Sequence, residues 1–256
     1  MRGSVVKSFP IHWRVVFIAL ALCLSAGTAF AQSPPAKADE SKIIATVLGH
    51  SITAKDKERM NGMVVSALIQ KFARDHGVAV TDQEIDNFIE RTALLEIRQI
   101  AQLEDKRKQL QAELKDSGLT EPQRKKKEKH LATMDQLLKF ALERKQRTEG
   151  KGERERAMKR RMASHFVNHW KINKALFNQY GGRVIFQQAG AEPVDAYRDF
   201  LREQEKVGAF KILDPALADS FWRYFTNDAM HSFYSAEEGA KFINTPWWML
   251  DPPPLK

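Results

Sequence analysis

Two marks of punctuation, Gly77 and Thr81, constrain this chain more than any other feature. Gly77 stands where a helix must end, as the first residue beyond it, because glycine accepts the left-handed backbone found there. Thr81 opens the next helix, with Glu84 three residues on to complete a capping box and with Val80 and Ile85 placed as a hydrophobic staple. Two helices must therefore meet at a tight corner. Before the corner, Val64, Val65, Leu68, Ile69 and Phe72 recur at helical spacing on one face. After it, Ile85, Phe88 and Ile89 form the buried stripe of the second helix. Upstream, the apolar run from Ile43 to Leu48 ends at Gly49 and predicts a short strand. Thr53 can cap a helix beginning near Ala54.

From Leu94 to about Arg161 the chain is dominated by charged residues. Leu94, Ile97, Ile100, Leu103, Leu110 and Leu114 mark an apolar seam on a long helix. Asp116-Ser117-Gly118 breaks that helix, and Thr120 with Gln123 restarts it. Leu131, Met134, Leu137, Leu138, Ala141 and Leu142 provide a returning seam, so the simplest model is an antiparallel helical hairpin that projects as an arm. The basic run Arg124-Lys125-Lys126-Lys127 falls near its tip. Gly150-Lys151-Gly152 interrupts again, and a third long helix is expected from Glu153 to Tyr180, stopped by Gly181-Gly182. Beyond it aromatic residues concentrate. Val184-Ile185-Phe186 and Phe210 to Leu213 read as short strands, and Pro193 and Pro215 as helix starts. The prolines around Trp247 and Trp248 exclude a regular helix at the end. The fold class is thus mainly α, with a helical module over 43–93, the charged hairpin over 94–150, and a long helix followed by an aromatic-rich helical region over 151–256.

The first 31 residues read as a secretory signal peptide: Arg2, Lys7 and Arg14 precede the apolar run Val15 to Ala26 and the small-x-small site Ala29-Phe30-Ala31. Residues 32–42 follow as a polar linker. Export to a bacterial periplasm is the expectation. Cys23, the one cysteine, sits within the apolar run. Leu22 stands directly before it, where a lipoprotein signal carries a small residue. Cleavage after Ala31 would leave no thiol for disulfides, thiol catalysis or cysteine–zinc sites. It would also leave 38 basic residues, three fewer than the 41 of the whole chain, against 32 acidic ones, a net charge of +6. In an exported protein that balance argues against nucleic acid. It suits acidic client segments or anionic lipid head groups, or simply solvates long helices.

Several residue groups invite a chemical reading. His165 and His169 lie four apart on one helix face, a zinc-compatible spacing, but lack the further ligands and glutamate that such sites use. Asp228, His231, Ser232 and Ser235 lie close together without a nucleophile elbow, so capping and turn formation is the simpler role. Gly181-Gly182-Arg183 and Gln187-Gln188-Ala189-Gly190 lack phosphate-loop spacing and read as a helix stop and a turn. Phe221, Trp222, Tyr224, Phe225, Phe233, Tyr234, Phe242, Trp247 and Trp248 form either a compact aromatic core or an exposed groove for unfolded chains.

The segment Ala45-Thr46-Val47-Leu48-Gly49-His50-Ser51-Ile52-Thr53 resembles the opening of the SurA-type periplasmic chaperones, with His50 where that family has a short polar residue. Leu68-Ile69-Gln70, Ala73, Gly77-Val78, Val80-Thr81-Asp82 and Glu84-Ile85-Asp86 resemble its helix–turn–helix, and the likeness covers about residues 43–92. In that family the module is helical and binds unfolded outer-membrane protein segments, often with a parvulin-type peptidyl-prolyl isomerase domain after it. None of the parvulin blocks occurs in this chain, and the charged hairpin stands in that place. The resemblance therefore implies a chaperone that holds unfolded clients, outer-membrane proteins among them, with no cofactor, no metal and no catalytic residue. Val65, Leu68, Phe72, Phe88 and Trp222 are the apolar side chains expected to meet clients. Two alternatives stay open: a divergent peptidyl-prolyl isomerase, and a helical scaffold whose arm pairs with another hairpin. The oligomeric state is left open.

Overall fold

The first strand of the chain is the middle strand of its sheet. β1 (Ile43–Val47) pairs with β2 (His50–Thr53) on one side and with β5 (Phe210–Ile212) on the other, both antiparallel. The β1–β2 turn is Leu48-Gly49, with φ of +48° and +82°, the double positive φ of a type I′ hairpin. Leu48 carries this conformation although it has a side chain. Its N–H is held by Ala209 O at 2.7 Å, and its side chain packs on the core. The expected strand is present and ends one residue earlier, and the second hairpin strand was not foreseen. After Thr53 the chain makes a 3-10 segment, Ala54–Arg59, and Thr53 makes no side-chain cap. The α-helix therefore starts at Met60 rather than near Ala54.

The computed structural model describes residues 40–148, 152–187 and 189–250. Most of the proposed leader and linker, with Cys23, lies outside them. α1 (Met60–Asp75) presents Met60, Val64, Leu68 and Phe72 at intervals of four to the sheet. It ends in a Schellman motif: Val78 N–H donates to Ala73 O, Gly77 N–H to Arg74 O, and Gly77 has φ of +62°. The Thr81–Glu84 capping box is formed in full, and it opens α2 (Asp82–Glu113). This helix passes the expected module boundary at 93/94 without interruption. No glycine or proline breaks it, and its inward apolar positions continue from Phe88 to Leu110. Asp116-Ser117-Gly118 makes the turn, and α3 (Glu121–Thr148) returns along α2.

α4 (Glu153–Tyr180) has the expected span and stops at Gly181 and Gly182, which have φ of +67° and +92°. The hairpin β3 (Ile185–Gln187) and β4 (Gly190–Glu192) follows, then α5 (Val194–Lys206), β5, α6 (Pro215–Thr226) and α7 (Ala236–Asn244). α7 was not expected as a helix, although Ser235, with Glu238 three residues on, marks its start. The main core joins the two ends of the described chain. Ile44, Val47, Ile52 and the α1 stripe pack with Ile172 and Leu176 of α4, with Phe200 and Leu201 of α5, and with Phe210, Phe221 and Phe225. A second cluster joins Phe88 of α2 to Ala163 and Val167 of α4, under Trp248.

Candidate interaction surfaces

Three of the five expected client-binding residues are inside the protein. Leu68, Phe72 and Phe88 are 1%, 3% and 3% exposed, while Val65 and Trp222 are half-buried against the main core. Leu68, Phe72 and Phe88 are thus core residues rather than the exposed apolar surface expected of them, while Val65 and Trp222 stay partly accessible. The reason is topological. The α1 stripe faces β1, and residues from beyond position 170 fill its other side. Phe88 is enclosed by Trp248 at 4.8 Å between ring centres, by Phe166 at 5.6 Å and by Trp247 at 5.8 Å.

The aromatic-rich end resolves in favour of a core. Phe221, Phe225 and Trp248 are buried, and the other six aromatics of the group are half-buried rather than exposed. Trp170 fixes the end of α7 by donating its indole N–H to Ile243 O at 2.8 Å. Gln187 donates to the Tyr224 hydroxyl at 2.7 Å, which in turn donates to Glu192 at 3.0 Å. Burial pushes the Glu192 carboxyl above its ordinary range, against the lowering effect of that hydrogen bond.

The other candidate groups adopt structural roles. His165 and His169 have ring centres 6.5 Å apart, and burial pushes the His169 imidazole down, helped by the charge of His165. No group of three or more potential metal-ligating His, Cys, Asp or Glu side chains occurs among the described residues. Ser235 caps α7 by accepting from Glu238 N–H, and His231 Nε2 donates to Tyr224 O at 2.6 Å. Asp228 accepts from the Arg183 guanidinium, which also grips Asp195 and lies 4.1 Å over the Phe233 ring.

Among the described residues, a shallow groove and the arm offer surfaces for interaction. The groove, about 130 Å³, has Leu68, Phe72 and Phe200 at its base and Lys71, Asp75, His76, Tyr180 and Glu203 among its rim residues. Its rim is satisfied internally. Lys71 pairs with Asp75, His76 stacks on Phe72 at 4.0 Å, and the Tyr180 hydroxyl donates to Glu203 at 2.7 Å.

The arm is zipped by buried Ile100, Leu103, Leu138 and Ala141 and half-buried Met134. Ion pairs run along its sides: Glu113–Lys127, Arg107–Asp135 and Glu96–Arg144. Arg124 caps the turn by donating to Leu114 O and Asp116 O. This zipper uses only part of the expected seams. Leu94, Ile97, Leu137 and Leu142, all expected to be buried, are exposed by 40–52%, and Phe140 is exposed by 62%. The 3.6-residue repeat explains the difference. Over a helix this long, a seam drawn in even steps drifts off the contact line with a straight partner. Met158 and Met162, on the first half of α4, are exposed by 67% and 51%. Half of the exposed large apolar side chains among the described residues, seven of fourteen, thus lie on the arm and the adjoining start of α4.

No family model, curated protein or solved structure matches this chain. No helix among the described residues is long and apolar enough to cross a membrane.

Proposed function

We propose that this protein is an exported, chaperone-like holdase that binds unfolded segments of other polypeptides, outer-membrane proteins among them, without chemistry of its own. The observation that carries this reading is the concentration of exposed Leu, Ile, Phe and Met side chains around the arm. Scattered single apolar residues are ordinary on a surface, but a local accumulation of large ones marks a contact site. Two of the seven are methionines, whose flexible, polarizable side chains adapt to varied partners. The resemblance of residues 43–92 to the SurA-type module supports the same reading, with one change of place. Clients meet the outside of the hairpin rather than the α1 stripe, which is committed to the core.

A rigid two-helix arm suits holding. Its faces are fixed by the zipper, so little conformational entropy is lost when a client lies along them. Net positive charge speeds encounter with acidic segments.

The test is suppression of aggregation. The full chain, mixed with a urea-unfolded outer-membrane β-barrel protein on dilution, is expected to reduce light scattering at equimolar ratio. The triple variant Leu94→Ser, Ile97→Ser, Phe140→Ser should suppress much less while keeping its circular dichroism and unfolding midpoint. Wild-type chain that leaves scattering unchanged would remove the proposal.

A further inference from the structure

The outward face of α3 has an order along it that the holdase reading does not require. Stepping by threes and fours from Lys126, one stripe runs through Lys129, Thr133, Leu137 and Phe140, and each of these residues is exposed. A separate stripe, through Met134, Leu138 and Ala141, packs with Ile100 and Leu103 of α2. The exposed stripe is cationic towards the arm tip and apolar towards its base.

The cations at the tip end are available. Of the neighbouring basic residues, Arg124 caps the turn, Lys127 is bound to Glu113, and Lys125 lies 3.5 Å from Glu121. Lys126 and Lys129 make no ion pair among the described residues and stand in solvent. At the other end, Phe140 is the most exposed large apolar side chain of the hairpin. Glu143 and Arg144 follow Phe140 within one turn, and Arg144 is engaged by Glu96 and Gln99, so its charge is already paired at that end of the stripe.

The spacing sets a ruler. Phe140 lies fourteen residues beyond Lys126 and eleven beyond Lys129. At a rise of about 1.5 Å per residue, that separates charge from ring by roughly 16–21 Å. An extended peptide covers the distance with about five or six residues at ~3.3 Å each.

Resting on the holdase reading, we infer that the exposed α3 stripe selects extended client segments in which an acidic pair is followed or preceded, about five or six residues away, by an aromatic or large aliphatic residue. The carboxylates lie against Lys126 and Lys129, and the apolar side chain lies against Leu137 and Phe140. The partner is a polypeptide rather than a lipid surface because the two chemistries lie end to end along one helix face. An interfacial helix instead carries them on opposite faces.

Fluorescence anisotropy with labelled twelve-residue peptides tests this, using the full chain. One peptide carries Asp-Glu and Trp about six residues apart, a second places them adjacent, and a third has Asn-Gln for the acidic pair. Wild-type chain is expected to bind the first peptide best. Lys126→Gln/Lys129→Gln should weaken that binding about fivefold, as expected for two exposed ion pairs, and leave the third peptide unchanged. Both substitutions are at exposed positions and leave the fold intact. Equal binding of all three peptides, or equal loss for the first and third, overturns the inference. So does binding to phosphatidylcholine–phosphatidylglycerol vesicles that needs Lys126 and Lys129 when peptide binding does not. Scattering suppression measured in parallel separates the two claims. Suppression without peptide selectivity defeats the ruler alone, whereas loss of both defeats the holdase reading.

Discussion

At the scale of single residues, Asp195 is the most consequential polar group in the fold. It sits in the first turn of α5 and is 7% exposed. Its carboxylate accepts from Arg183 through the backbone N–H at 2.8 Å and through Nε and Nη2 at 2.8 and 3.1 Å, and from Arg198 at 2.7 Å. Gly182 makes the approach possible, because a Cβ there would stand 2.4 Å from the Asp195 Cβ. Burial alone would raise the Asp195 pKa, but the Arg183 and Arg198 contacts outweigh it and hold the group at about 2, below the ordinary 3.8. A carboxylate with a depressed folded pKa stabilises above its unfolded value, and that contribution is lost as pH falls towards the folded one. Wild-type protein is therefore expected to exceed Asp195→Asn in stability by about 2 kcal/mol at neutral pH, with the gap closing between roughly pH 4 and pH 2. Urea titrations across that range check it, and a gap independent of pH would count against the assignment. This cluster was not legible in the sequence, where Arg183 and Asp195 lie twelve residues apart with a hairpin between them. By contrast, the capping roles of Thr81 and Ser235 are local, span three residues, and could be read directly.

At the scale of elements, α2 is both the cap-bearing second helix and half of the arm. Two substitutions separate its parts. Thr81→Ala removes one side of the capping box and should cost about 1 kcal/mol. Phe88→Ala empties the aromatic cage of Trp248, Phe166 and Trp247 and should cost about 3–5 kcal/mol. Hydrogen exchange would locate the damage. Phe88→Ala is expected to free amides at the base of the arm and in the segment around Trp248, while those of β1 and α1 stay protected. Uniform loss of protection would mean that the second cluster is not separable from the main core. Helix ends were legible because glycine, capping side chains and proline act on their own neighbours. The exposed positions of the arm were not, since whether Ile97 or Ile100 meets α3 depends on where the two helices cross, and both suit the same repeat.

At the scale of the whole molecule, β1 lies between β2 and β5, so the described chain closes on itself. The α1 stripe has its other half in Leu176, Phe200, Phe210 and Phe221. A fragment of residues 40–93 should therefore fail to fold alone, with circular dichroism showing little helix and a broad, non-cooperative thermal response. Adding back residues 152–250 as a separate chain should restore helix and cooperativity. A fragment that folds by itself would show that the resemblance over residues 43–92 marks an independent module. The holdase reading belongs to this scale too, because burial of the N-terminal stripe leaves the arm as the principal apolar display.

The sequence by itself determined the helical class, the turn at Gly77, the capping box, the breaks at Asp116–Gly118 and Gly181, and the span of α4. Each follows from interactions between residues a few positions apart. Only the tertiary structure decided which apolar stripes are spent on the core and which remain outside. Leu68 and Phe140 are alike in chemistry and both sit on amphipathic helices. One is buried and the other exposed because sheet pairing across more than 160 residues delivers a partner surface to α1 and none to the outer face of α3.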